Sequence, residues 1–304
     1  MQHIKCFYSK KIPVGKIFGK VVVYGFLLLI FLVTFLPFWH IFVLSINDAN
    51  DSLRGGVSFW PRQPTLDSYL TVLRDQEILS SLAVTALRTL LGVPLTVFCV
   101  SMLAFVLSRP GLRHKRGLNL FFVFTMYFSG GLIPTYVVIK ALGLIDSFWV
   151  FIFPGLYNVY WMILVRTYFE GLPKELFEAA SCEGAGQFSQ FLRVALPISV
   201  PVLAAIVLFS AIFHWNSWYD SYIYTYRDQL KTLQAVMVKI LNQYQTGSML
   251  SQAQQMAASA KKMPVSSESI RMAVTMTATL PIIMVYPFLQ KYFIQGMLLG
   301  AVKD

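Results

Sequence analysis

The stretch EGLPKELFEAASCEGAGQFSQFLRVALPISVP, residues 170–201, lies between two long apolar runs and carries more charge than either. Residues 174–183 are mostly good helix formers and follow a glycine and a proline that favour a helix start. Gly184 and Gly186 permit a sharp turn, and a second short helical run leads to Pro197. We therefore predict a helix, a glycine turn and a second helix that stops at Pro197. We call residues 170–201 the island.

The island has polar and apolar side chains that make opposite demands. Its polar residues keep it out of the hydrocarbon layer of a membrane, and they are Lys174, Glu175, Glu178 and Glu183. Its apolar residues need a surface to bury against, and they are Leu176, Phe177, Phe188, Phe191 and Leu192. Because the polar and the apolar side chains lie on the same short helices, the pattern is typical of a segment that inserts into a cleft of another protein.

The composition of the whole chain is that of an integral membrane protein. Of its 304 residues, 56% are hydrophobic and only 13% are charged, and the mean hydropathy is +0.61. The net charge of +11 comes from Lys and Arg that mostly flank apolar runs, which favours a role in membrane orientation over nucleic-acid binding. Cys6, Cys99 and Cys182 have no CxxC spacing, so neither a disulfide framework nor a metal site is indicated.

Six apolar segments predict an all-α protein with six transmembrane helices. They are residues 21–46, 78–107, 118–138, 148–165, 198–224 and 272–288. The third segment is interrupted by Ser129, Gly130 and Gly131, so we predict a break at residues 129–131. We divide the chain into a basic tail (1–20), a transmembrane domain (21–298) and a C-terminal tail (299–304). A short loop with Arg109, Arg113, Lys115 and Arg116 is expected in the cytoplasm, which places both termini there as well. Residues 226–269 are then an external loop, although its five cations count against that side.

No motif in the sequence predicts chemistry within this chain. A phosphate-binding loop, a zinc-protease helix and a hydrolase nucleophile motif are all absent from the sequence. We therefore predict neither a catalytic residue, nor a bound metal, nor a cofactor of its own. If the chain drives uphill movement, the energy must arrive through a contact with another protein, and the island is the candidate contact.

The island resembles the signature E-A-A-x(3)-G-x(9)-I-x-L-P of ABC importer permeases, with Val194 in place of the isoleucine. In that family the segment is a coupling helix that docks into an ATP-binding subunit. The resemblance implies docking roles for Glu178, Ala179, Ala180, Gly184, Leu196 and Pro197. The residue types agree, because small alanines allow close approach, a glycine permits the turn, and Glu178 can cap or pair locally.

The resemblance covers most of the chain and is strongest to the carbohydrate-uptake, maltose-permease-like group. FSGGLIPTYVVIKALGLIDSFWVFIFPG, HWNSWYDS and QKYFIQGMLLGAVKD carry it, and the most similar branch takes oligosaccharides and uronate-containing saccharides. It implies a MetI-like fold in a bacterial cell membrane, a second permease subunit, two ATPase subunits that hold ATP and Mg, and an external solute-binding protein. The chain itself is then a transport subunit and not an enzyme. A secondary transporter and an ABC permease for a non-sugar solute remain the alternatives.

A second candidate site follows from the polar and aromatic residues in the outer half of the fifth segment. They are Trp215, Asn216, Trp218, Tyr219 and Asp220, and a continuous helix would place Trp215, Trp218 and Tyr222 in one stripe. Stacking rings beside hydroxyl-binding side chains suit a saccharide path. An interfacial belt of aromatic residues is the alternative.

Arg88 lies about ten residues inside the second apolar segment, where an unpaired charge is costly. We predict that it pairs with Asp220, with His214 deeper in the membrane. The pair either faces the central path, where Arg88 could also bind an acidic substrate, or it is a structural ion pair between helices.

Overall fold

The computed structural model describes residues 14–250 and 267–301, and these residues form an all-helical protein, as predicted. Their only β pairing is an isolated bridge between Asn47 and Pro64. The helices are α1 (Val14–Ser45), α2 (Ala49–Leu53), α3 (Asp67–Arg74), α4 (Gln76–Ser108), α5 (Lys115–Tyr127), α6 (Leu132–Ala141), α7 (Val159–Glu170), α8 (Lys174–Cys182), α9 (Gln187–Gln190), α10 (Leu196–Ile198), α11 (Val200–Asn216), α12 (Tyr219–Tyr224), α13 (Leu233–Leu250) and α14 (Ser267–Ala301). Phe148–Phe151, Phe153–Gly155 and Asp228–Leu230 are 3₁₀ turns, and Phe191–Ala195 is π-helical.

Within the described residues, two helices are long and apolar enough to cross a membrane unbroken. They are Gly19–Ser45, within α1, and α4. Three further segments qualify only as bent pairs: α5 with α6 at 113°, Phe148–Gly155 with α7 at 47°, and Gln187–Ile198 with α11 at 85°. The described part of the chain therefore has two spans, or up to five, and the predicted number of six stays a prediction. The predicted break at residues 129–131 is confirmed, because α5 ends before it and α6 starts after it.

Helix α4 is the centre of the packed structure. One half of it forms a core with α7 and the π-helical turn, where Val100 and Phe105 are buried against Val165 and Phe191. Its other half packs against α13 and α14, where Ile78 joins Val236 and Ala273. Since α4 contributes to both cores, it links the two ends of the helical bundle.

Helix α1 packs in a different way from α4. Its apolar side chains are exposed over most of the length that could cross a membrane. Only its last turns, with Val43 and Ser45 buried, are covered by the rest of the chain, and Ser45 shares a hydrogen bond of 2.7 Å with Tyr69 of α3. Lipid or another subunit must therefore cover the remainder of α1.

The predicted external loop, residues 226–269, is not a loop over its first half. It contains α13, where Leu233, Ala235 and Val236 are buried against α4 and α14. The chain is held here because the Leu233 N–H donates to Thr85 Oγ1 of α4 at 2.9 Å. Residues 251–266 of the predicted loop lie outside the described residues.

The turn between α6 and the first 3₁₀ turn is fixed to the segment that follows α12. Asp146 has a positive φ of 57°, and its carboxylate accepts hydrogen bonds from the N–H groups of Tyr226 and Arg227 at 3.0 and 3.1 Å. Those two backbone hydrogen bonds are the main reason that the pKa of Asp146 lies below its ordinary value. The carboxylate therefore stays ionised in mildly acidic solution and keeps both segments together.

Candidate functional site

The island folds as its glycines predict. Helix α8 ends at Cys182, and Gly184 follows with a φ of 81°. The N–H groups of Gly184 and Ala185 donate to the carbonyls of Ser181 and Ala180 at 3.0 and 2.9 Å, which is the hydrogen-bond pattern of a Schellman cap. Because this cap requires a left-handed residue, glycine at position 184 determines the angle between α8 and α9.

The second helical part of the island differs from the prediction in one respect. It does not stop at Pro197, because α10 includes this proline and ends at Ile198. The break comes at Ser199, before α11, and the chain bends by 85° there. The helix is continuous from Gln187 through the π-helical turn to Ile198, so Pro197 lies at the C-terminal end of this helix and next to the bend.

The apolar side chains of the island lie on two different surfaces. Phe177 and Phe191 pack on the core of α4 and α7. Leu176, Phe188 and Leu192 are instead 41%, 59% and 40% exposed. The chain thus buries one side of the island itself and leaves an apolar surface on the other, which we call the outer face.

The signature residues lie where another protein could reach them. Glu178, Ala179, Gly184 and Pro197 are exposed, while Ala180 and Leu196 are half-buried. Glu178 makes no side-chain hydrogen bond or ion pair with any described residue, so local capping or pairing by Glu178 stays a prediction. Its carboxylate is available to a partner.

Arg109, which follows α4 directly, holds the inner side of the island in place. Its guanidinium carbon lies 4.1 Å from the ring centres of both Phe105 of α4 and Phe177 of α8. Its Nη2 donates to Gln190 Oε1 at 2.8 Å. This contact was not predicted, because Arg109 stands in the sequence as one of four basic residues in a short loop. The spacing of four residues between Phe105 and Arg109, which places both on one side of a helix, was the signal available in the sequence.

The predicted pair of Arg88 and Asp220 is confirmed. Arg88 is 1% exposed and Asp220 19% exposed; Nη1 donates to Oδ1 at 3.1 Å, and Nη2 forms an ion pair with Oδ2. The guanidinium also lies 5.1 Å from the ring centre of Phe151. Nη1 further reaches the carbonyl of Ser217 at 3.5 Å, where the fifth predicted segment is interrupted. Arg88 therefore satisfies a carbonyl that a continuous helix would have paired.

His214 completes this buried network. Arg88 Nε donates to its Nδ1 at 3.4 Å, so the ring proton lies on Nε2, which is 3.4 Å from Thr96 Oγ1. The ring fits against Gly92, where an added Cβ would lie 2.6 Å from two ring atoms. Helices α4 and α11 can approach this closely only because residue 92 has no side chain.

The aromatic stripe predicted in residues 214–224 is wrong, because α11 ends at Asn216 and α12 begins at Tyr219. Trp215 turns to α14 and donates from Nε1 to the carbonyl of Ala278 at 2.9 Å. Trp218 forms an exposed cluster with Tyr219 and Tyr222, at ring distances of 5.8 and 6.1 Å. Asn216 is exposed nearby and accepts a hydrogen bond from Gln234 at 3.3 Å. The structure thus groups Trp218, Tyr219 and Asn216 at the surface, and separates Trp215 from them.

No group of three His, Cys, Asp or Glu side chains in the described residues is arranged to hold a metal ion. The two features with chemical content are therefore the island and the network around Arg88 and Asp220 with its neighbouring aromatic cluster. They lie toward opposite ends of α4.

Comparison with known proteins gives consistent matches over nearly the whole chain. The polygalacturonan/rhamnogalacturonan transport system permease protein YtcP of Bacillus subtilis (strain 168) is 34% identical over 92% of this chain and 96% of its own length. Protein LplC of the same organism is 36% identical over 89% of this chain and 90% of its own length. A solved bacterial ABC transporter involved in the import of the acidic polysaccharide alginate has a chain that superposes with a TM-score of 0.80. That match is 30% identical and covers 95% of this chain and 100% of the other.

A family model matches residues 71–222, which extend from α3 through the island to α12. The match includes the Schellman turn at Gly184, the network around Arg88 and the break after Asn216. By this match and by its similarity to the two relatives, the chain belongs to the family of binding-protein-dependent transport system inner membrane components.

Proposed function

We propose that this chain is a permease subunit of an ATP-driven ABC importer for acidic oligosaccharides and that its island docks on an ATPase subunit. The observation that carries the docking is the outer face of the island, where Leu176, Phe188 and Leu192 are exposed. Glu178 of α8 is also exposed, at the cavity between the island and the turn after α4, and its carboxylate has no partner among the described residues. An apolar surface presented by a rigid helical segment that also carries an accessible charge is suited to a protein interface.

The island end of the bundle is the cytoplasmic end in this proposal. The loop after α4 carries Arg109, Arg113, Lys115 and Arg116 within a few residues, which fits the preference of short basic loops for the cytoplasm. Six spans would place both termini on the same side. Trp218 and its neighbours then face the outer half of the membrane, where substrate arrives.

The proposed assembly contains a second permease subunit, two ATPase subunits that bind ATP and Mg, and an external solute-binding protein. The exposed apolar side chains of α1 support a further membrane partner, lipid or protein, because the chain does not cover them itself. The acidic substrate is supported by the names of the similar proteins, one for polygalacturonan and rhamnogalacturonan and one for alginate. ATP hydrolysis belongs to the partner subunits.

The saccharide path in this proposal includes Asn216, Trp218, Tyr219 and Asp220. Trp218 and Tyr219 offer ring faces for the apolar side of a sugar, and Asn216 offers an amide for its hydroxyls. Trp215 is held by α14 and Arg88 by Asp220, so both support the shape of the path and make no direct contact with sugar.

The docking proposal is tested by purifying the chain with its candidate ATPase subunits and measuring ATP hydrolysis in proteoliposomes. We expect the wild-type chain to retain the ATPase, and Glu178→Ala to lower stimulated hydrolysis by about tenfold through loss of an interface contact. Glu175→Ala is the matched control, because it removes the same charge from an exposed position on the same helix outside the signature. Failure of the wild-type chain to bind any ATPase, or equal effects of the two substitutions, would contradict the proposal.

A further inference from the structure

The side chain of Arg109 contacts both helices of the island from the end of α4. It is stacked between Phe105 and Phe177, and it donates to Gln190 of α9. Gln190 is buried, and its own Nε2 donates to Ser181 Oγ at 2.9 Å and to the carbonyl of Ala185 at 3.0 Å. A single arginine therefore connects α4 to α8, to α9 and to the glycine turn between them.

Arg109 does not have the geometry of an ordinary surface charge. It forms no ion pair with any described residue, and its Nε is buried without a hydrogen-bond partner. The contact depends instead on the planar shape of the guanidinium, which can stack on two rings while its edge donates to an amide. Lysine has the same charge, but a point-like ammonium cannot do both.

Direct packing between the island and the turn after α4 is incomplete. A cavity of about 540 Å³ lies between them, with Pro110, Leu112, Glu178 and Gln187 in its lining. Phe105 still meets Phe177 and Phe191 at ring distances of 6.2 and 5.3 Å. The guanidinium of Arg109 contacts residues on both sides of this cavity, Phe105 of α4 and Phe177 of α8.

We propose that Arg109 is a positioning residue that makes the island move together with α4, so that displacement of the island by an ATPase subunit is passed along this helix. The proposal rests on the proposed docking function of the island. Helix α4 is suited to the task, because it runs unbroken from Gln76 to Ser108 and also holds Arg88. At about 1.5 Å per residue, Arg88 and Arg109 are about 30 Å apart along the helix.

The attachment is tested on the full chain alone with a spin label on Cys182, which is exposed near the end of α8. Cys6 and Cys99 are replaced by serine, and label mobility is compared among Arg109→Gln, Arg109→Lys and Arg113→Gln. We expect Arg109→Gln and Arg109→Lys to release α8 and raise the mobility, whereas Arg113→Gln, an exposed arginine of the same loop, leaves it unchanged. Unchanged mobility in Arg109→Gln, or full rescue by lysine, would overturn the proposal. If Arg109→Gln does not fold, Gln190→Leu removes the acceptor of the Arg109 hydrogen bond, and the same increase in label mobility is expected.

Transmission is tested in the assembled importer as saccharide transported per ATP hydrolysed. We expect Arg109→Gln and Arg109→Lys to lower this ratio about fivefold while the ATPase subunits stay bound, since the island remains folded by its own cap. A ratio equal to that of Arg113→Gln would overturn the proposed role. If the wild-type chain binds no ATPase, the docking function fails, whereas the label measurement still decides whether Arg109 fastens α8.

Discussion

Each guanidinium nitrogen of Arg88 has a partner within the chain, which decides between the two roles predicted for this residue. Nε faces His214, and the two terminal nitrogens face Asp220. With 1% exposure, the side chain has no surface left for a substrate carboxylate. The geometry therefore favours the structural ion pair, which holds α12 at its angle to α11.

We predict that Arg88→Gln lowers transport of neutral and uronate-containing saccharides by the same factor. The substitution leaves Asp220 without its charge partner in the interior, and breaking a buried pair in this way costs about 3–5 kcal/mol; Asp220 is 19% exposed, which places the expected loss toward the lower end. Uptake assays with both sugar classes and thermal unfolding in detergent measure the two effects. Arg227→Gln, which removes an exposed arginine paired with Asp146, is the control and should change little. Selective loss of uronate transport would contradict the structural role.

The sequence was sufficient to predict the Arg88 pair but not the direction of Trp215. A charge inside an apolar segment requires a partner, and Asp220 was the acidic residue at a matching depth. The stripe with Trp215 assumed one helix through residue 217. The break at residue 217 depends on hydrogen bonds that Arg88 and Thr232 donate to the Ser217 carbonyl. Both donors are distant from residue 217 in the sequence. Such tertiary contacts leave no local pattern.

Among the elements, the island shows how a single backbone conformation sets the position of a functional helix. We predict that Gly184→Ala weakens the docking of the ATPase, because alanine in the left-handed region costs about 1–2 kcal/mol and favours a different angle after α8. Gly186→Ala is the matched control: its φ is −68° and an added Cβ would have open space. Stimulated ATP hydrolysis and co-purification are measured for both. Equal behaviour of the two variants would mean that the turn angle is not needed for docking.

The elements that sequence analysis missed are those whose signal is weak along the chain. Helix α13 lies in a segment rich in Gln and Ser, and the apolar residues at its start, Leu233, Ala235 and Val236, are buried. So short an apolar pattern does not specify a helix by periodicity. The island, α4 and the break at residues 129–131 were predictable because charge, length and glycine content each mark them strongly.

On the scale of the whole molecule, we expect the docking of an external binding protein to depend on the segment that follows α12. We predict that deleting residues 245–262 abolishes stimulation of ATP hydrolysis by the binding protein and leaves the basal rate intact. The deletion spares the buried start of α13 and removes Lys261 and Lys262, whose charge suits an acidic partner surface. Replacing the same residues by a Gly/Ser stretch of equal length separates loss of side chains from loss of length. Retained stimulation in the deletion variant would refute a role in docking the binding protein.

The π-helical turn at Phe191–Ala195 has a consequence for insertions and deletions. The N–H of Leu196 bonds to the carbonyl of Phe191, five residues back, so this turn holds one residue more than an α-helical turn would. Removing one residue here would restore regular α-helix and keep the island at nearly the same angle to α11, because the wider turn takes up that extra residue. Removing one residue from the α-helical part beside it, at residues 187–190, would instead rotate the first half of the island by about 100° relative to α11. A single-residue deletion is therefore expected to be tolerated within the π-helical turn and not next to it.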